Sequence, residues 1–244
     1  SGTGIDLSGR KNVTIKNMEI KAFDYGIHLS DFSNSNSIFG NNITANKWHG
    51  IYLYSSANNN TIFGNKITGN KDCGITLYGS SNNNSISANQ ITNNYDGVGI
   101  SEASSDNAIF GNNITNNSRW GLVLFKSSNN SVIGNNIINN SQYGIRLIES
   151  SNNSIYHNNF VNNTNQVYTY NSVNVWDDGY PSGGNYWSDY KGEDLDGDGI
   201  GDTPYVIDAN NQDRYPLMPP FEDVTPPTTT DNYDGLWHTT DFFI

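Results

Sequence analysis

Four carboxylates crowd into one short stretch, Asp194-Leu195-Asp196-Gly197-Asp198-Gly199-Ile200-Gly201-Asp202. Side-chain oxygens at loop positions 1, 3, 5 and 9, a glycine at position 6 and the Ile200 carbonyl at position 7 suit the oxygen cage of Ca2+. Position 12 is Tyr205 rather than Glu, so a bidentate ligand would come from Asp208 or Asp213. A solvated acidic turn is the alternative. Like charges this close repel unless a cation sits among them, and a structural calcium ion is expected here.

A second candidate is an acid/base trio, Asp6, His28 and Tyr52. It would serve proton transfer on an acidic polysaccharide, as in lyases and epimerases. A third is a set of aromatics, Trp48, Tyr52, Tyr54, Tyr78 and Trp120, with Tyr95, Phe125 and Tyr143 beside them. Stacked rings among amides suit a sugar chain. Asn-x-Ser/Thr triplets recur, and Asn42 and Asn113 are the candidates for glycosylation. Each of these sets is scattered in sequence, so a repeating scaffold must bring its members together.

The scaffold is written in the glycines that open a Gly-apolar-x-apolar phrase: Gly4, Gly26, Gly50, Gly74, Gly97, Gly121 and Gly144. They lie about 23 residues apart, the period of a solenoid. Each phrase holds two apolar residues with one between, as in Ile27/Leu29 and Ile51/Leu53, which is strand alternation. A second phrase, apolar-x-x-Asn-x-apolar-x-x-Asn, follows without change of spacing from Ile38-Asn41-Ile43-Asn46 to Ile155-Asn158-Phe160-Asn163. Three short strands per unit predict one coil of a parallel β-helix, with Ile, Leu and Val stacked in columns about 4.8 Å apart. The recurrent Asn is expected to do two things: turn the corner in a left-handed backbone, and stack on its copies as an amide ladder. The position after it (Asn42, Lys66, Gln90, Asn113, Asn136, Asn159) varies and is expected outside. A leucine-rich-repeat horseshoe has a similar unit length, but it needs a helical segment that these polar stretches do not provide. In this register Asp6, His28 and Tyr52 are successive members of one outward column that continues through Thr76, Gly99, Val123 and Arg146. No second carboxylate row is expected beside them.

The repeat fades after Asn163. Residues 171–218 are dense in aromatics, Gly and Asp, and read as a cap for the last coil, with Trp176, Tyr180, Tyr186, Trp187, Tyr190, Tyr205 and Tyr215 covering it. Residues 219–244 begin as a Pro/Thr linker and end in what reads as the start of a following module. The net charge of -12 is split unevenly: residues 1–170 hold 9 acidic and 10 basic side chains, and the remainder holds 15 and 2. No basic face exists to neutralise phosphates, which argues against a nucleic-acid partner. Cys73 is alone, so no internal disulfide forms. No membrane span or signal peptide is found. Residue 1 falls inside a repeat, so the chain reads as a piece of a longer exported protein.

The Asn-rich coils, together with Gly183-Gly184-Asn185-Tyr186-Trp187-Ser188-Asp189-Tyr190, "DGDGIGDTPY" and "DRYPLM", resemble the NosD-type right-handed β-helix proteins over about residues 1–218. Similar modules are abundant in surface proteins of methanogenic archaea. The resemblance implies an exported, envelope-associated β-helix. It also implies copper, since the founder is linked to copper maturation of a periplasmic reductase. Against copper, His28, His49, His157 and His238 are scattered, Met18 and Met218 lie far apart and Cys73 is single. The stretch "TPPTTTDNYDGLWHTTDFFI" resembles the start of an Ig-like module.

The expectation is therefore an all-β right-handed parallel β-helix with a calcium-loaded cap. Its expected role is non-catalytic, as a structural module at the cell surface (an S-layer for example) that contacts envelope glycan or associates with itself end to end. A polysaccharide lyase or epimerase is the first alternative and a copper-handling periplasmic protein the second.

Overall fold

The computed structural model describes residues 2–222. The following-module stretch and most of the Pro/Thr linker, residues 223–244, lie outside them. The chain winds as a right-handed parallel β-helix of about eight coils. Its three sheets run along the rod, and every pairing between successive coils is parallel. One sheet is built from the Gly phrases, with strands of four to six residues such as Thr3–Asp6, Tyr25–Leu29, Cys73–Tyr78 and Trp120–Phe125. The other two are built from three-residue strands such as Thr61–Phe63 and Lys66–Thr68. We call them the long-strand, second and third sheets.

The register follows the sequence columns. Ile27 pairs with Ile51, Ile51 with Ile75 and Ile75 with Val98. These residues, with Leu29, Ile38, Ile43 and their copies, are fully buried. Each buried Ile or Leu contributes about 1.5–3 kcal/mol by leaving water. The glycines open the phrase for a packing reason. A Cβ on Gly50 would sit 2.6 Å from the Gly74 carbonyl and 2.7 Å from Ile67 Cγ2. Only hydrogen lets the coils close there.

Strict alternation fails at this glycine. The missing Cβ of Gly26 points inward, toward Ile43 and Asn46, and Ile27 is also buried. The residue before the glycine therefore shares the outer face with the residue two after it. Tyr25 stacks on His28 with ring centroids 5.7 Å apart.

The polar columns form three amide ladders rather than two. Asn41, Asn65, Asn89, Asn112, Asn135, Asn158 and Asn185 make one, and Asn46 through Asn163 another. The third runs from Asn36 through Asn60, Asn84, Asn107 and Asn130 to Asn153 and Asn174. In each, an amide Nδ2 donates to the next coil's Oδ1, and that Oδ1 also accepts the backbone N–H. The two tasks expected of the ladder Asn are divided. The left-handed backbone belongs to the residue just before it, as at Gly64 (φ 61), Ala88 (φ 51), Asn116 (φ 55) and His157 (φ 57). A side chain buried in a ladder and a backbone that turns the corner occupy adjacent positions, and Gly, Asn or Ala serves the second. The first coil places Val13, Met18 and Phe23 where the ladders would continue, and their N–H groups bond Asn36, Asn41 and Asn46. This is why "NVTIKNMEIKAF" departs from the repeat phrase.

The cap continues the stack before ending it. Tyr186–Trp187 adds a strand to the third sheet, and Val175 bridges to Ser154 of the second. Trp187 lies flat on Phe160, with centroids 4.5 Å apart and planes at 8°. Tyr205 lies on its other face at 4.3 Å. Trp176 is buried beside it. Tyr180 is not part of this plug: it is 62% exposed, against solvent rather than over the coil. Asp213 ties the two cap phrases together. Its carboxylate accepts Asn185 N–H (2.7 Å), Trp187 Nε1–H (2.8 Å) and Tyr215 N–H (3.1 Å). Burial pushes this carboxyl up to about 6, against the pull of those donors.

The variable outer column is exposed from Asn42 to Asn113, but Asn159 is covered. Its amide exchanges two hydrogen bonds with the Phe221 backbone, and Phe221 stacks on His157 at 4.4 Å.

Candidate functional site

The outer face of the long-strand sheet carries a groove of about 310 Å³ between the third and seventh coils. Its floor is the column that begins at Asp6. After Tyr52 the floor residues become small, Thr76, Gly99 and Val123, and they end at Arg146. Large side chains thus close both ends of a trough about 19 Å long, four coil spacings. One wall comes from the residues before each repeat glycine: His49, Cys73, Asp96 and Trp120, with Asp72 and Arg119 behind them. The other wall includes Tyr78 and Phe125. A larger depression of about 390 Å³ lies on the second sheet around Phe110 and Phe221, but no titratable side chain lines it.

Asp96 is fully desolvated and paired. Arg119 donates Nε–H to its Oδ1 at 2.8 Å and closes the fork with Nη2 on Oδ2. Arg119 also lies over Trp120, 3.5 Å from the ring centroid, and over Tyr95 at 4.3 Å. Arg146 lies between Trp120 (4.4 Å) and Tyr168 (5.3 Å). Among the described residues no carboxylate pairs with Arg146. His49 stacks on Tyr52 at 4.8 Å, its Nδ1 lies 3.1 Å from Thr76 Oγ1 and its Nε2 3.8 Å from Asp72 Oδ2. Burial holds this imidazole below its usual range, against the pull of Asp72 and Asp96. Burial likewise pushes the Tyr52 phenol well up.

The trio Asp6, His28 and Tyr52 is in register as expected. His28 Nδ1 lies 3.7 Å from Asp6 Oδ1, and the His28 and Tyr52 rings are 5.5 Å apart. It lies outside the groove, Tyr52 excepted. Where no second carboxylate row is expected beside the trio, two carboxylates stand on the same face at the coils that follow Tyr52: Asp72, two residues before Gly74, and Asp96, one residue before Gly97. The varied residues preceding each repeat glycine (Tyr25, His49, Cys73, Asp96, Trp120, Tyr143) carry the signal, but strict alternation counted back from the buried Ile would turn them inward. Of the aromatic candidates, Trp120 lines the groove and Tyr78 borders it. Tyr52 ends it, and Tyr54 stacks on Tyr78 at 5.8 Å. Trp48 lies apart, beneath Lys47. Asn42 and Asn113 are both exposed on the third sheet.

In the acidic loop the structure brings together Asp194, Asp196 and Asp198, whose oxygens approach within 4.8 Å. Asp194 accepts the N–H groups of Gly197 and Gly199, and Asp198 that of Ile200. Asp202 instead accepts Leu195 N–H. Neither bidentate candidate joins the cluster. Asp208 bonds Thr169 and Asn211, and Asp213 is the buried cap acid.

The family model described as periplasmic copper-binding protein (NosD) matches residues 1–143 and 102–192. No curated protein matches the chain. Among solved structures, a periplasmic alginate epimerase, AlgG, is 26% identical with a TM-score of 0.63, over 68% of this chain and 43% of that one. The A-module of a mannuronan C-5 epimerase from Azotobacter vinelandii is 19% identical (TM-score 0.59, 68% and 46%). The Dettilon tailspike protein is also 19% identical (TM-score 0.58, 76% and 40%). The chain therefore spans less than half the length of these structures, and the latter two show the fold alone.

Proposed function

The chain belongs to the NosD family, and on that premise we propose that its long-strand sheet binds an acidic polysaccharide outside the cytoplasm without cleaving it. The observation that carries this reading is Arg146. An accessible guanidinium, held rigid between two aromatic faces at the end of a trough, suits a sugar carboxylate. Tyr78 and Phe125 on the facing wall offer apolar contact for a sugar ring. The likeness to the periplasmic alginate epimerase supports the polysaccharide class of ligand.

The test is a polysaccharide panel, polyuronates against neutral glucans, scored for retention of the protein and for unsaturated or epimerised products. Retention of polyuronates without products is expected. Arg146→Ala should weaken retention by about 10–100-fold, the worth of one charged hydrogen bond, and leave the melting temperature unchanged. Equal retention of Arg146→Ala and the parent would remove the reading. A second reading, an epimerase or lyase, is favoured by one observation: His49 is held neutral beside Tyr52, as a base and an acid would be. Products in the panel that vanish in His49→Gln would establish it.

Copper, which the family description names, does not fit the donors present. A copper site of the thiolate and imidazole kind gathers a second imidazole or a second sulfur beside the first pair, as in a His2Cys set. Around the groove only one thiol and one imidazole meet, and His28 is separated from His49 by the Tyr25 and Tyr52 rings.

The reading includes a structural calcium ion at Asp194, Asp196 and Asp198, with the Ile200 carbonyl and Asp202 drawn in. Calcium at millimolar concentration is expected to raise the melting temperature above that in chelator. Identical melting curves would remove it. Placement at a cell surface and glycans on Asn42 and Asn113 belong to the same reading.

A further inference from the structure

His49, Asp72 and Cys73 form a cluster that glycan binding does not require. Their imidazole nitrogen, carboxylate oxygen and thiol sulfur all lie within 4.8 Å of one another. The coil stacking creates it, because the residue before Gly50 lies one rung from the residue before Gly74. The next rung leaves room: a Cβ on Gly99 would sit 3.3 Å from Cys73 Sγ. The surroundings are anionic. Asp72 and Asp96 both face the thiol, whose Sγ lies 3.8 Å from Asp96 Oδ2, and the one guanidinium nearby is committed to Asp96. Asp72, whose side chain is 36% exposed, is left with His49 as its ion-pair partner among the described residues. With His49 Nδ1 donating to Thr76 Oγ1, the Nε2 lone pair is left on the side of Asp72. Such an outer hydrogen bond fixes a ligating imidazole.

We propose that His49, Asp72 and Cys73 form an open three-ligand site for a borderline divalent cation of the zinc type. One nitrogen, one carboxylate oxygen and one sulfur are ligands zinc accepts, and three protein ligands leave the fourth position for water or a ligand oxygen. Loading breaks the Cys73 S–H bond, forms a metal–sulfur bond and releases the proton to solvent. No oxidant or reductant takes part. With zinc on it His49 is a ligand and not a base, so this site and the epimerase reading exclude each other. The site does not rest on the glycan reading, because metal titration needs no polysaccharide and the retention panel can be run in chelator.

The experiment uses the full chain, stripped of metal, titrated with Zn2+ by calorimetry and with Co2+ by absorption. One ion is expected at this site, with a thiolate-to-cobalt charge-transfer band that Cys73→Ser abolishes. Thr76→Val should weaken zinc about 10–100-fold by freeing the imidazole. The sulfur band separates this site from the acidic loop, which offers oxygen alone. X-ray absorption of the zinc-loaded parent protein decides the matter even where a variant fails to fold, since it must show one sulfur neighbour. A cobalt spectrum without the band, or a zinc shell without sulfur, would overturn the proposal. So would uptake of Cu(I) with no uptake of zinc.

Discussion

Asn112→Asp is expected to destabilise the rod by about 3–5 kcal/mol, the scale of an uncompensated buried charge. The reason lies in the direction of the ladder. Asn112 Nδ2 donates to Asn135 Oδ1, to the Ile86 carbonyl at 2.8 Å and to the Phe110 carbonyl at 3.0 Å. Its Oδ1 accepts from Asn89. A carboxylate keeps the accepting side and places a second oxygen against three acceptors. Because each coil contacts only its neighbours, the damage should appear as a split of one denaturation transition into two, one for the coils on either side. The adjacent Asn113→Asp is the control. That residue is exposed, and the change should stay within about 0.5 kcal/mol. Urea melts followed by far-UV circular dichroism compare the two, and equal midpoints would contradict the ladder account.

Trp187→Ala should cost about as much, about 3–5 kcal/mol. Trp187 is the plate between Phe160 and Tyr205, and its removal opens the end of the hydrophobic column to water. It also supplies one of the three N–H groups that hold the Asp213 carboxylate. The loss is therefore part cavity and part unsatisfied buried acid. Trp187→Phe separates the two: it keeps the stack, drops the N–H, and should cost about 1–3 kcal/mol. Thermal melts read both. If Ala and Phe were equally mild, the indole would not be the plug that closes the helix.

The zinc and calcium titrations and the polysaccharide panel address sites whose legibility differed. The acidic loop is contiguous, so its members could be read from the sequence. What could not be listed was its partner set. Asp208 and Asp213 are close in sequence, yet the cap uses Asp213 as the buried joint between the Gly183–Tyr190 phrase and the Asp213–Met218 phrase. The groove was half legible. The column Asp6, His28, Tyr52, Thr76, Gly99, Val123 and Arg146 follows from the period alone. His49, Asp72, Asp96 and Arg119 did not, because alternation in a strand is a rule about regular backbone. The phrase-opening glycine breaks that rule by turning inward beside an inward Ile.

What the sequence determined by itself was the coil. A period of about 23 residues, paired apolar positions and an invariant Asn spacing admit few other ways to bury Ile and satisfy an amide, since each copy must do both against the next. Tertiary structure decided what stands beside what on the outside. Outer residues are under no burial constraint that would write them into a pattern. Their neighbours are set by the rung-to-rung register and by one local reversal of side-chain direction at Gly26, Gly50, Gly74, Gly97 and Gly121. That reversal places His49 over Thr76, Asp96 in the fork of Arg119 and Arg146 against Trp120. The interior is a consequence of repetition, and the candidate site is a consequence of where the repeat is interrupted.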